Sequence, residues 1–414
     1  MILALILAAL LAPVGALCRT LERAPHAQIF TLTRRPGYFS EPSVAVNPLN
    51  PQQVAAAFQV KDHIAYSTDA GLHWRLAQGV PPLNYRVSGD VSVVYDNKGH
   101  AILCSIAFDK LGSDQYWGHN ATRNGIFVRR SLDGGATWEQ KLIAVIKHPS
   151  DPGIPFEDKP YIVADDTRGP FAGNLYIGWT HFTLKESEIY FSRSTDDGVT
   201  WSHPIVISTH PGLPRDDNGD VEGFTGAVTS DGALSVVWTD GNHIVFTQSL
   251  DGGRTFAASH DIIQTAPPYF GISRVPRCNG FPEIVAGPRG RSLYVTWSGY
   301  RNGDVDVFAS ASRDGGRTWS HAVRVNTDAL HDGSDHFFQW PAVDPVSGDL
   351  YVIFYDRRGD PANHDAIIAL ARSTDGGATF KDYAWSVKPF DASGEFIGDY
   401  TGIAAFNGHV WGAW

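Results

Sequence analysis

Three cysteines in 414 residues, at 18, 104 and 278, are too few and too far apart for a disulfide framework, and none has metal-ligand spacing. The sixteen histidines include no HExxH-like pair, which removes that zinc chemistry from consideration. Charge is also sparse: 33 basic against 44 acidic side chains give a net charge of −11, and no Lys/Arg-rich block occurs anywhere. A nucleic-acid binder concentrates positive charge, so nucleic acid is excluded as the expected partner. Beyond the first sixteen residues no stretch of ten holds a helical period. A coiled coil and a multi-span membrane protein are therefore excluded, and with 43 % hydrophobic and 12 % aromatic residues so is a disordered chain.

Residues 1–16, MILALILAALLAPVGA, are an apolar run ending in small residues, with Val14 and Ala16 at the −3 and −1 positions of a cleavage site. This is read as a signal peptide, with a retained anchor as the alternative. The mature chain is expected to lack a transmembrane span, to be monomeric, and to be secreted, periplasmic or extracellular.

What is abundant is a repeat. Ser-x-Asp-x-Gly-x-[Thr/His]-[Trp/Phe] occurs at 67–74, 131–138, 194–201, 249–256, 312–319 and 373–380, at spacings of 64, 63, 55, 63 and 61 residues. Each box follows a β-type run such as SEIYFSR or VDVFASA, itself preceded by runs such as NLYIGWT and, earlier, YIVADD. A fourth run such as SHPIVIS follows the box. Four short strands per repeat, joined by turn residues, describe an all-β propeller of four-stranded antiparallel blades. The box supplies a hairpin: its Asp accepts backbone N–H bonds, its Gly permits positive φ, and its aromatic packs between blades.

Seven innermost strands can be counted, six in complete blades and the seventh in YTGIAAF at 400–406, followed by HVWGAW; six blades are the alternative. The run QIFTLTRR at 28–35 is expected to close the incomplete seventh blade by pairing into it. Residues 28–414 thus read as one propeller domain, with the sequence ending inside its last blade.

Loop lengths distinguish the two faces. The connections 79–90, 146–158, 209–222, 263–281, 327–338 and 389–399 all lie on one face and are long enough to suggest function. Inner-strand register brings Glu41, Asp90, Asp158 with Lys159, Glu222, Phe281, Gln339, and Asp399 with Tyr400 to the channel mouth there. Arg35, Asp62, Arg274, Arg277, Arg301, Arg357 and Arg358 belong to neighbouring loops. Carboxylates, arginines and a tyrosine in one place suit a glycan or polysaccharide substrate. No cofactor is expected; the one metal candidate is a structural Ca²⁺ on the alternating Asp216, Asn218 and Asp220.

The six boxes resemble the Asp-box, or BNR, repeats of the sialidase (neuraminidase) superfamily. That resemblance implies a β-propeller and, in the family's enzymes, hydrolysis of terminal α-linked sialic acid. It implies a tyrosine nucleophile, here Tyr400; a glutamate that activates it, here Glu222; and an aspartate acid/base, here Asp62. A phenol serves as nucleophile because it avoids repulsion by the substrate's own carboxylate. Arg277 and Arg357 match the later carboxylate-binding arginines. Ser40 of Phe39-Ser40-Glu41-Pro42 stands where the family's first arginine belongs, with Arg35 the nearest substitute. Three functions follow as alternatives: a secreted sialidase-like hydrolase acting on terminal acidic sugars, a polysaccharide lyase using Tyr400 with His336 or His364, and a non-catalytic propeller that binds glycan or protein.

Overall fold

The computed structural model describes residues 21–33, 39–59, 63–78, 85, 87–110, 121, 123–148, 155–215, 219–269, 271–392 and 396–414. Among the described residues there is no helix. Six antiparallel sheets each contain four consecutive strands, and a seventh contains two, Gly402–Phe406 and His409–Ala413. The sixth sheet gains a short extra strand, Phe390–Asp391. The innermost strands are Ser43–Val46, Val87–Tyr95, Phe156–Ala164, Val221–Val228, Glu283–Ala286, His336–Val343 and Gly402–Phe406. Each packs against the next, and the seventh packs against the first, so the ring is closed. The seven sheets are numbered below as blades 1 to 7.

The second strands are covered on both faces by neighbouring blades, which is why they read as continuous apolar runs instead of alternating ones. Trp179, Trp238 and Trp297 hold the same place in blades 3, 4 and 5 and are all but inaccessible. Hydroxyls stitch the inner ring together: the N–H groups of Val93, Ile162 and Ile284 donate to Ser43 Oγ, Ser92 Oγ and Thr225 Oγ1 of the preceding blade at 3.0, 3.2 and 3.2 Å.

The boxes are scaffold. In the fifth, Ser312 Oγ donates to Asp314 Oδ1 at 2.8 Å, Thr318 Oγ1 donates to Oδ2 at 2.6 Å, and the Gly316 N–H donates to Ser312 Oγ at 2.8 Å. The Thr318 hydroxyl and backbone bonds hold the exposed Asp314 carboxyl down at about 2. Trp319 reaches the preceding blade, edge-on to Phe246 at 5.8 Å, and Phe256 meets Phe191 at 4.8 Å in the same way.

Closure of the ring differs from the expected strand pairing. Residues 28–33 form no strand, and 34 and 35 lie outside the described residues. Leu32 instead packs with Ala56, Phe58 and Ala413, covering the seam between blades 7 and 1 with side chains. The backbone pairing is made earlier and elsewhere, where the Ala24 N–H donates to the Ala384 carbonyl of blade 6 and the Ala384 N–H donates to the Glu22 carbonyl, both at 2.8 Å. Gln28, Ile29, Phe30 and Thr31 are exposed while Leu32 packs on the seam, so this stretch covers the junction instead of pairing into blade 7.

Candidate active site at the channel mouth

The inner strands share a local irregularity. In blades 2, 3, 4 and 6 the pairing with the second strand slips at the same level, between Gly89 and Ser92, opposite Gly178 and Thr180, between Glu222 and Thr225, and between Phe337 and Trp340. A residue of positive φ sits at each slip: Asp90 (47°), Lys159 (46°), Gly223 (80°) and Phe338 (52°). Glu41, just before the inner strand of blade 1, has φ 53°. Such bulges re-aim side chains, and each non-glycine residue held this way costs about 1–3 kcal/mol. Positive φ recurs at one level of the ring, on the charged residues Glu41, Asp90 and Lys159 among others, and makes that level the candidate site.

Glu41, Asp90, Asp158, Lys159, Glu222, Arg277, Asp399 and Tyr400 together line a single cavity at this level, as their sequence positions predict. Its volume is about 10 Å³, room for one water molecule. Below it runs the central channel, about 320 Å³, lined by the inner strands and sharing Lys159 and Tyr400 with the cavity.

The two cations are committed. Arg277 donates through Nε to Asp399 Oδ1 at 3.1 Å and through its terminal nitrogen to Oδ2, a bidentate pair. The Lys159 ammonium lies over the rings of Tyr400 and Phe281, 4.0 and 4.5 Å from their centres. The Lys159 N–H donates to Asp90 Oδ2 at 3.2 Å and to Asp158 Oδ1 at 3.0 Å.

Glu41 is 2 % exposed. Its Oε1 accepts the Asp399 N–H at 3.2 Å, while its Oε2 has no hydrogen-bond partner. Burial, then the charges of Asp90 and Asp399, push this carboxyl well above its ordinary range, against the weaker pull of Lys159 and Arg277. Burial and the carboxylates of Glu41, Asp90, Asp399 and Asp158 also push the Tyr400 phenol up, so at neutral pH it is a neutral hydroxyl.

Other expected residues lie apart. Arg357 is fully buried and donates to three backbone carbonyls, Ser273 at 2.9 Å, Asn363 at 2.8 Å and Ala392 at 2.7 Å. It ties loops together, and the reading of Arg357 as a carboxylate-binding arginine is corrected accordingly. Arg301 is exposed, its guanidinium 5.1 Å from the centre of the Phe308 ring, and it does not line the cavity. Gln339 is one position off the mouth register: it accepts from Ser298 Oγ at 2.7 Å and donates to the Phe281 carbonyl at 2.8 Å. The bulge adds one residue that simple alternation does not count, so Phe338 takes the level expected for Gln339, while in blade 4 Gly223 holds the positive φ and Glu222 beside it still lines the cavity. Arg35, Asp62, Asp216 and Asn218 lie outside the described residues, and Asp220 is buried at the edge of blade 4.

Glu283 was not anticipated. It follows Pro282 on the inner strand of blade 5, is 2 % exposed, and leaves Oε2 without a partner. Burial pushes it well above the usual carboxylate range, with Lys159 opposing. A carboxylate opening the otherwise apolar run EIVA was the available signal.

A second polar cluster sits between blades 5 and 6. Asp306, Asp328 and His336 offer ligand atoms within 4.8 Å of one another. Arg324 pairs with Asp306 at 3.3 Å, Arg358 with Asp356 at 2.7 Å and Asp382 at 2.8 Å, and Asn326 donates to Asp306 and Asp328, each at 2.7 Å. Those donors already fill the carboxylates' acceptor sites, so the donor set suits an ion-pair network better than a metal.

No family model matches the chain, and no curated protein matches it. Solved structures do. A microbial sialidase, Hz136, aligns at TM-score 0.51 and 17 % identity over 85 % of this chain and 68 % of its own. The leech intramolecular trans-sialidase aligns at 0.52 and 13 % identity over 84 % and 68 %. The α-L-arabinofuranosidase arb93a of Fusarium graminearum aligns at 0.51 and 12 % identity over 81 % and 93 %. The chain thus shares the β-propeller fold with these proteins; at such identities the likeness is one of fold. No helix among the described residues is long and apolar enough to cross a membrane.

Proposed function

We propose that this protein is a glycoside hydrolase that removes sugars from glycan ends at the channel mouth. One observation carries the reading: Glu41, strained at positive φ and buried with one carboxyl oxygen unpartnered, faces the same cavity as Asp90 and Asp399, and burial pushes its carboxyl up. Glycosidic cleavage needs an acid to protonate the leaving oxygen and a second group to attack or to activate water. A buried carboxyl that favours its proton beside a second carboxyl group suits such a pair. We assign Glu41 as the acid and Asp90 or Asp399 as its partner. The apolar run at 1–16, read as a signal peptide, supports an activity outside the cytoplasm.

The sharper, exo-α-sialidase form assigns attack to Tyr400, proton acceptance to Glu222, acid/base work to Asp62 and carboxylate binding to Arg35, Arg277, Arg301 and Arg357. Tyr400 at the cavity supports it; the raised phenol and the commitment of Arg357 to backbone weigh against it. The lyase form keeps Tyr400 at the cavity but lacks its histidine, since His336 is held by Asp356 at 3.2 Å and His364 lies against Arg274 at 3.3 Å, neither lining the cavity. A non-catalytic glycan-binding propeller is the second reading, favoured by a cavity of about 10 Å³ that admits one hydroxyl and no whole sugar ring.

The test is turnover of a panel of 4-methylumbelliferyl glycosides, sialoside included, by the wild type and Glu41→Gln. Loss of a general acid lowers turnover by about 10²–10⁴-fold. A wild type that cleaves none of them, or a Glu41→Gln variant as active as wild type, removes the assignment.

A further inference from the structure

The charge balance of the mouth bears on which sugar enters. Five carboxyl groups, Glu41, Asp90, Asp158, Glu222 and Asp399, meet two cations. Arg277 is already bidentate to Asp399, and the Lys159 ammonium is covered by two aromatic rings. A third arginine is held by backbone carbonyls: the Arg357 guanidinium is spent on Ser273, Asn363 and Ala392. A substrate carboxylate would therefore meet an excess of like charge, with Arg277 and Arg357 already bonded elsewhere and the Lys159 ammonium, the one remaining cation of these, lying over aromatic rings.

The cavity also presents an unpartnered carboxyl oxygen, which as an acid donates to a hydroxyl and as a carboxylate accepts from a hydroxyl or an ammonium. Glu41 Oε2 is buried, faces the cavity and has no hydrogen-bond partner. A buried oxygen of this kind is costly until it meets a complementary group. The space beside it takes one water-sized group, which a hydroxyl or an ammonium fills and a three-atom carboxylate does not. The aromatic faces of Tyr400 and Trp340, 5.5 Å apart, lie at the start of the channel behind it. Their apolar surface suits the C–H face of an uncharged ring.

We propose that the mouth selects glycans whose terminal sugar carries hydroxyl or ammonium donors and no carboxylate. This deepens the glycan reading above and rests on it. Neutral and amino sugars share the required chemistry, and the measurement separates them.

The experiment is calorimetric binding of galactose, arabinose and glucosamine against sialic and glucuronic acids, alongside hydrolysis of their 4-methylumbelliferyl glycosides. At least tenfold preference for the non-acidic group, in binding or in turnover, is expected. Preference for glucosamine over the neutral sugars identifies the ammonium as the favoured donor. Equal or tighter use of the acidic sugars overturns the inference, as does failure to bind or cleave any of the non-acidic ones. Selective binding without cleavage leaves this inference standing and removes the hydrolase reading. Asp399→Asn releases Arg277 and shifts selectivity toward the acidic sugars by about tenfold; where its melting curve shows misfolding, Asp158→Asn, which removes one repelling charge and keeps an acceptor for the Lys159 N–H, takes its place. An unchanged ratio in the folded variant overturns the electrostatic basis of the proposal.

Discussion

The Lys159 ammonium lies 4.0 Å from the centre of the Tyr400 ring, so the tyrosine serves this site through its face as well as its hydroxyl. The two act differently under substitution. Tyr400→Phe keeps the ring that packs on Lys159 and on Trp340 and loses only the phenol oxygen. With Glu41 as acid and a carboxylate as partner, this variant should melt within a degree or two of wild type and keep turnover within about tenfold. A loss beyond about 10³-fold, measured on any cleaved glycoside, would assign the phenol oxygen as the nucleophile.

Glu41→Gln separates catalysis from stability. The carboxyl holds its proton in the folded chain above its ordinary 4.5, so over that range the folded state binds more protons than the unfolded one. Stability contributed by this group therefore falls as pH rises above about 4.5 toward the folded value. Glutamine can still accept the Asp399 N–H and has no charge to bury. Thermal melts should place the variant at or above wild type at pH 8 and show the difference shrinking at pH 4, while turnover is lost. A variant less stable than wild type at pH 8 would contradict the buried-acid account of Glu41.

The blades and the mouth were legible because they rest on local chemistry. Six boxes announce six hairpins, and alternating runs around them announce strands, so counting inner strands brought Glu41, Asp90, Lys159 and Tyr400 to one level. Two things were hidden. A bulge inserts one residue without any local signature in a non-glycine sequence, and in blade 6 it exchanged Gln339 for Phe338 at that level. The fate of an arginine is hidden too: Arg357 and Arg277 look alike in sequence, yet one is consumed by three carbonyls and the other by Asp399. Which polar groups a side chain satisfies is settled by loops distant in the chain.

The ion network between blades 5 and 6 predicts a second pH dependence of known sign. His336 is buried, which by itself would lower its affinity for a proton, but Asp356 and Asp328 outweigh that and raise it from 6.5 to about 9. A histidine raised on folding contributes stability that is fully present below about pH 6.5 and lost as pH rises through about 9. Removing one partner of a buried charge pair costs about 3–5 kcal/mol. His336→Gln should therefore melt well below wild type at pH 6, with the gap closing by pH 9.5. A constant gap across that range would mean the imidazole is neutral in the folded chain.

The last prediction concerns how the ring shuts. A methyl group at Gly402 would stand 2.8 Å from the Pro42 carbonyl oxygen and 3.1 Å from Ser43 Cα, both backbone atoms of blade 1 that cannot swing aside. Gly402 is thus where the inner strand of blade 7 comes against that of blade 1. On the outer side of the same junction, the Trp411 indole N–H donates to the Ala70 carbonyl at 2.8 Å and the ring packs with Val54 and Ala404. Gly402→Val should force the two inner strands apart, and Trp411→Ala should empty a well-filled seam at a cost of about 3–5 kcal/mol. Because blade 7 has two strands and little packing of its own, both variants should expose 402–414 to protease before blades 2 to 5 are cut. Trp411→Phe, which keeps most of the ring and loses the hydrogen bond, should cost only about 1–2 kcal/mol. Melting temperatures and first cleavage sites read these outcomes directly. Wild-type melting in Gly402→Val would show that blades 7 and 1 do not close the ring through this contact, and early cleavage elsewhere would move the weak point of the propeller to that blade.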